Sequence, residues 1–196
     1  GCKVQNAMPY DYDHAVSITR NLVSDVGNYG LAVMSAGAGE GYYAHNVSFT
    51  NNVVDWSEND GFYFRSAKGL QVTDNETKRQ ASVGMYFRDC DGTVNGNRIQ
   101  ESTAAALQTV APPGVLRITN LDIVDSPLDL LHPDDCEDSL GYLNHLVAFL
   151  TAPTPTPTGR VELGDIRIWY EQFNEPASLK YAFQVHDNAD VRQVGP

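Results

Sequence analysis

The sequence predicts an all-β solenoid, in which short strands wind into coils that stack on one another. Three observations lead there. A seven-residue pattern recurs along the chain, and a second strand-like pattern recurs in phase with it. The resulting unit, about 23 residues long, reads as two or three short strands and no helix.

The first pattern is clearest at 17–23, 48–54, 71–77 and 93–99, for example Ser48-Phe49-Thr50-Asn51-Asn52-Val53-Val54. Weaker copies lie at 117–123 and 162–168. The apolar position that anchors it is Ile18, Phe49, Val72, Val94, Ile118 and Leu163, with spacings of 31, 23, 22, 24 and 45 residues. Three consecutive gaps near 23 mark regular coils, and the two long gaps mark coils that carry inserted loops.

The second pattern is Gly30-Leu31-Ala32-Val33, Gly61-Phe62-Tyr63-Phe64 and Gly84-Met85-Tyr86-Phe87, with degenerate copies at 106–109, 127–130 and 180–183. Its period-2 alternation is strand patterning. The leading glycine fits a tight entry into the strand, and turn clusters at 65–69, 88–92 and 110–114 end it. Alternation turns Phe62, Phe64, Met85, Phe87, Leu107, Thr109, Leu128 and Leu130 to the core. It turns Tyr63, Tyr86, Gln108 and Asp129 to solvent in one column, with Ala32 above. Arg65 and Arg88 stand two residues further along on the same outward side. A unit this small cannot bury its own apolar face, so the copies must stack.

With these repeats in place, the chain resembles the right-handed parallel β-helix families seen in polysaccharide lyases, epimerases and viral tailspikes, over roughly residues 15–190. The length of 196 residues makes about seven coils. The resemblance implies a column of stacked asparagines at the turn between the second and third sheets. Asn21, Asn52, Asn75 and Asn97 match that column, while Leu121 and Ile166 depart from it. A buried amide can donate to one coil and accept from the next, so a structural role is expected for them. In many enzymes of these families the first sheet carries the substrate groove, which here is the strand bearing Tyr63 and Tyr86.

Two readings of that column stay open. Aromatic rings and guanidiniums together suit a sugar chain, whose apolar faces stack and whose carboxylates or hydroxyls bind arginine. The plain alternative is an exposed ladder of Arg on Tyr, with Asp60, Asp89 and Asp91 balancing the charge.

The coil pattern breaks between Leu131 and Val161. Leu140, Leu143, Leu146, Val147 and Leu150 follow helical spacing, so an inserted helix is expected near 137–150 inside an insertion at 132–160. Asp134 or Asp135 would cap it, and the Pro/Thr-rich run 153–158 would return as stiff extended chain. The insertion would also place His132, Asp134 and Asp135 near Asp129, Arg88 and Tyr86. Such a cluster is what β-elimination or epimerisation of a uronate needs, and its carboxylates are a candidate Ca2+ site. No other cofactor is indicated. No lyase, epimerase or glycosidase signature is complete, so catalytic residues stay unassigned and an enzyme stays undecided.

Composition bounds the partners. There are 25 acidic against 13 basic side chains, a formal net charge of −12. Nucleic acid, anionic lipid or anionic glycan is therefore disfavoured as a whole-surface partner. The 17 Asp and 4 Lys fit a halophilic acidic surface or an ordinary acidic secreted protein. No apolar run approaches the length of a membrane span. Cys2, Cys90 and Cys136 have no metal-site spacing and read as small buried thiols. The chain starts Gly1-Cys2 without Met and reads as a single β-helix domain over 1–196 whose ends require caps. An excerpt of a longer protein or a homo-oligomeric assembly is expected. The functional expectation is an extracellular, virion-surface or cell-surface β-helix that contacts polysaccharide or a cell-surface glycan. It would serve as a lyase, epimerase or hydrolase, as a non-catalytic receptor-binding module, or as a structural stalk.

Overall fold

The computed structural model describes residues 2–6, 15–35, 43–126, 145–150, 159–172, 181–185 and 189–195. Among them, 17 strands pair in parallel as one continuous curled sheet, and no helix is found.

The pairings resolve into three ladders. The first joins β1 (Cys2–Asn6), β4 (Leu31–Ser35), the start of β8 (Phe62–Thr73), the start of β10 (Met85–Asn95), β12 (Leu107–Val110), β14 (His145–Leu150) and β16 (Tyr181–Val185). The second joins β2 (Val16–Thr19), β6 (Val47–Thr50) with its short lead β5 (Ala44–His45), and the ends of β8 and β10. It continues through the start of β13 (Val115–Val124), the start of β15 (Arg160–Trp169) and β17 (Val191–Gln193). The third joins β3 (Leu22–Val26), β7 (Val53–Ser57), β9 (Glu76–Gln80), β11 (Arg98–Gln100) and the ends of β13 and β15.

The register follows the repeats read from sequence. Ile18, Phe49, Val72, Val94, Ile118 and Leu163 are partners in successive strands of the second ladder. Leu31, Phe62, Met85 and Leu107 are partners in the first. Their side chains meet in one core, where Phe49, Phe62, Phe64 and Phe87 are fully buried. Phe64 stacks on Phe87 at 4.9 Å and meets Phe49 edge-on at 5.1 Å. Each buried ring stabilises the fold by ~1.5–3 kcal/mol, and each aromatic pair adds ~0.5–1.5 kcal/mol.

The corner between the second and third ladders is made by a left-handed residue followed by the asparagine column. Arg20, Asn51, Asp74, Asn120 and Asp165 have φ between 50° and 58°, and Gly96 has φ 68°. Asn and Asp tolerate this region better than most residues, because a short polar side chain can bond locally. The next residue bonds along the stack. Asn21 Nδ2 donates to Asn52 Oδ1 at 2.9 Å, Asn52 Nδ2 to Asn75 Oδ1 at 2.9 Å, and Asn75 Nδ2 to Asn97 Oδ1 at 3.0 Å. Each of these Oδ1 atoms also accepts the backbone N–H of the preceding asparagine, at 2.9–3.1 Å. Leu121, wholly buried, ends the column with an apolar side chain.

The glycines that lead the first ladder are required by space. A Cβ on Gly61 would lie 2.0 Å from Thr77 Oγ1, and one on Gly84 would lie 2.3 Å from Ile99 Cγ2. The strand entry therefore runs hard against side chains of the third ladder.

Three expectations are corrected. The helix expected near 137–150 is contradicted where the chain is described, because His145–Leu150 is strand β14, hydrogen-bonded in parallel between β12 and β16. An unbroken apolar run satisfies helix and strand spacing alike, and two waiting edges decide for strand. The position beyond Gln108, expected for Asp129, is taken by Ala148 of that strand. Phe183, expected as the counterpart of Phe64, instead pairs with Val147 in line with Leu107. That shift of two residues preserves which face each position takes. Leu128 and Leu130 lie outside the described residues.

Candidate functional site

The site stands on the outward side of the first ladder. Tyr63 pairs with Tyr86, and Tyr86 with Gln108, while Arg65 pairs with Arg88. The sequence-expected neighbours are thus brought together by strand register. Asp129, His132, Asp134 and Asp135, the other half of the expected cluster, lie outside the described residues.

The rings of Tyr63 and Tyr86 are stacked, with centroids 5.2 Å apart and planes 9° from parallel. Parallel in-register strands hold identical side chains about 4.8 Å apart, which is stacking distance. A third ring joins them. Tyr29 lies before its strand, yet its ring stacks on Tyr63 at 4.3 Å and 21°. It does so because the position paired with Tyr63 is Ala32, whose methyl leaves the coil above without a side chain to cover the phenol. Sequence reading missed Tyr29. The readable signal was an alanine in an aromatic column with a tyrosine three residues earlier.

This stack changes the expected exposure. Tyr63 and Gln108 face outward but are only 9% and 8% exposed, whereas Tyr86 is half-buried and the Arg88 side chain is 48% exposed. Both faces of the Tyr63 ring are covered by other tyrosines, so a sugar face cannot stack on it. The accessible features are ring edges, phenol hydroxyls and guanidinium nitrogens.

Burial also sets the protonation of the cluster. It pushes the Tyr86 phenol up to about 12, with the Arg88 charge acting in the opposite direction. It raises the Tyr63 phenol too, opposed by the charges of Arg65 and Arg88 and by a hydrogen bond with Arg65. Tyr29 is raised by burial, and the neighbouring Tyr63 and Asp60 add to it. These phenols stay protonated well above neutral pH and remain hydrogen-bond donors.

Two carboxylates flank the stack. Asp60 is buried at the turn into β8, accepts the Val83 N–H at 3.1 Å and is bonded by the Ser82 hydroxyl. Burial outweighs those bonds and pushes its carboxyl up to about 6. Asp89 lies 3.8 Å from Arg88 Nε, and burial raises its carboxyl against the pull of Arg88 and Arg65. Around the corner, Lys68 Nζ sits over the Tyr43 ring at 4.1 Å. Cys90, two residues beyond Arg88, is a buried free thiol held up to about 12 by burial.

Among the described residues, no group of three or more His, Cys, Asp or Glu is placed to hold a metal ion. Among the same residues, no helix is long and apolar enough to cross a membrane. The arrangement presents donors on a rigid aromatic edge, and it can hold hydroxyl or carboxylate oxygens.

No curated protein and no solved structure matches the chain. A family model described as the right-handed beta helix region matches residues 7–125, more than half of the 196. Together with the parallel stacked register, that match shows that the chain belongs to the right-handed β-helix family.

Proposed function

We propose that the protein is a surface or extracellular β-helix that holds polysaccharide along the outward side of its first ladder, at Tyr86, Arg88 and Arg65. The observation that carries this reading is the Tyr29–Tyr63–Tyr86 stack, which ends on a half-buried Tyr86 beside an exposed Arg88. Rings locked against one another lose little further freedom on binding, so their hydroxyls act as a preformed edge. Gln108 extends the polar column by one strand. A sugar chain laid across the strands meets a new row of donors about every 4.8 Å, close to the length of one extended pyranose unit. The reading takes the solenoid as about seven coils long and part of a larger assembly. It takes binding as the primary role, with catalysis dependent on groups supplied by the 127–144 segment.

The test is affinity electrophoresis of the full chain through gels containing a panel of soluble polysaccharides. Wild type is expected to be retarded by at least one polymer, and Tyr86→Ala and Arg88→Ala to lose the retardation at matched thermal stability. Arg79→Ala, on another face and paired with Asp55 at 2.7 Å, should behave as wild type. Unretarded wild type in every gel, or an unaffected Tyr86→Ala, would overturn the reading.

A further inference from the structure

We propose that the outward face of the second ladder binds ice, through a two-dimensional grid of hydroxyl and amide side chains. The inference is independent of the glycan contact on the first ladder. Each strand of the second ladder turns two positions outward. Ser17, Ser48, Gln71 and Thr93 form one column. Thr19, Thr50, Thr73 and Asn95 form the other. Six of these eight side chains are hydroxyls, the other two are amides, and all are exposed or half-exposed.

The absence of charge sets this face apart. On the third ladder the outward column runs Glu76, Arg98, Asp122, Arg167, and beside it Asp55 pairs with Lys78. The chain has 25 acidic and 13 basic side chains, yet none occupies the eight positions of the grid. The grid ends at the next strand, where Arg117 takes the outward position and binds Glu162 at 2.6 Å. A neutral face on a molecule of net charge −12 complements a neutral ligand, and an ion or charged polymer gains nothing from it. It also carries no aromatic ring or arginine, the usual anchors of a protein partner. What it offers is repetition, so the ligand must repeat as well.

The spacings name that ligand. Side chains recur about every 4.8 Å across the strands and about every 6.6 Å along them, twice the rise per residue. These repeats fall close to the oxygen–oxygen repeats along two axes of an ice prism face, and rotation of each hydroxyl takes up the residual mismatch. Threonine suits the task because its β-branch restricts χ1, so hydroxyl and methyl are held in place before the lattice arrives. Among the described residues, the hydroxyls of Thr50, Thr73 and Thr93 have no protein partner and are left to water. The corners of the grid are tied internally: Ser17 Oγ bonds Thr19 Oγ1 at 3.1 Å, and Asn95 Oδ1 accepts from Thr119 Oγ1 at 2.9 Å.

The test is ice-affinity partition of the full chain into a slowly grown ice shell, with inhibition of ice recrystallisation as a second readout. Wild type is expected to be enriched several-fold in the ice over an inert protein in the same solution. Thr73→Lys puts a long charged side chain in the grid and should return enrichment to background at matched thermal stability. Lys78→Gln, on the third ladder, should partition as wild type. Exclusion of wild type from ice would overturn the proposal without recourse to any variant. Unchanged enrichment of Thr73→Lys would overturn the assignment to this face. A dimer in sedimentation that Thr73→Lys dissolves, with no ice enrichment of wild type, would overturn it in favour of self-association. Retention on microcrystalline cellulose or chitin, again without ice enrichment, would overturn it in favour of a crystalline polysaccharide.

Discussion

The ring of Tyr29 lies 4.3 Å from that of Tyr63, although strand register pairs Tyr63 with Ala32. A side chain from the turn thus fills the place that the coil's own residue leaves open. The consequence is a three-ring stack whose inner member is closed to ligand on both faces. Tyr29→Ala should keep the fold and cost about 0.5–1.5 kcal/mol of stability beyond lost area. It should also weaken the tyrosine signal in near-ultraviolet circular dichroism and raise the affinity for any ligand that stacks on Tyr63. An unchanged dichroism spectrum would contradict the stack.

Asn75 carries the densest bonding of the asparagine column. Its Nδ2 donates to Asn97 Oδ1 at 3.0 Å and to the Phe49 carbonyl at 2.9 Å, and its Oδ1 accepts from Asn52. Asn75→Ala leaves several buried groups unpaired and should cost about 3–5 kcal/mol in denaturant unfolding. Asn21 is exposed at the end of the column, so Asn21→Ala should cost about 1 kcal/mol or less. Equal costs would show that the column contributes no cooperative bonding.

Gly61 tests the tight strand entry. Gly61→Ala should destabilise by about 1–3 kcal/mol through the clash with Thr77 Oγ1. Thr77→Ala in the same chain should recover part of that loss. Full recovery is not expected, because the Gly84 carbonyl would remain 2.8 Å from the added Cβ. Strict additivity in a double-mutant cycle would place the clash elsewhere.

Asp60 gives a pH dependence of defined sign. Its carboxyl is pushed up to about 6 from 3.8, so the folded state binds the proton more tightly than the unfolded state. Its contribution to stability is complete below about pH 3.8 and is lost as pH rises through about 6. Asp60→Asn keeps an acceptor for Val83 N–H and removes the buried charge. It should stabilise the protein at pH 7 by an amount on the order of 1–3 kcal/mol and give no gain near pH 3.5. A gain independent of pH would mean that Asp60 does not titrate in this range.

Much of the fold is legible in the repeats, because a stacked coil must place the same chemistry at the same corner each time. Ile18, Phe49 and Val72 align for that reason, as do Asn52, Asn75 and Asn97. The pairs Tyr63–Tyr86 and Arg65–Arg88 follow from the same register. What register does not give is exposure. Tyr63 and Gln108 point outward, yet they are buried, since neighbours along the stack and a ring from the preceding turn cover them. The strand at 145–150 was hidden for a different reason. Its apolar residues satisfy two periodicities, and only the available edges of β12 and β16 choose between them.

The most direct test of the account is arginine footprinting of the full chain with phenylglyoxal, read by mass spectrometry with and without a retained polysaccharide. Without polymer, Arg88 and Arg79 should both react, their side chains being 48% and 55% exposed. With polymer, the account predicts that Arg88 is protected several-fold while Arg79 reacts as before. Equal protection of the two, or none at Arg88, would contradict a glycan site on the tyrosine ladder.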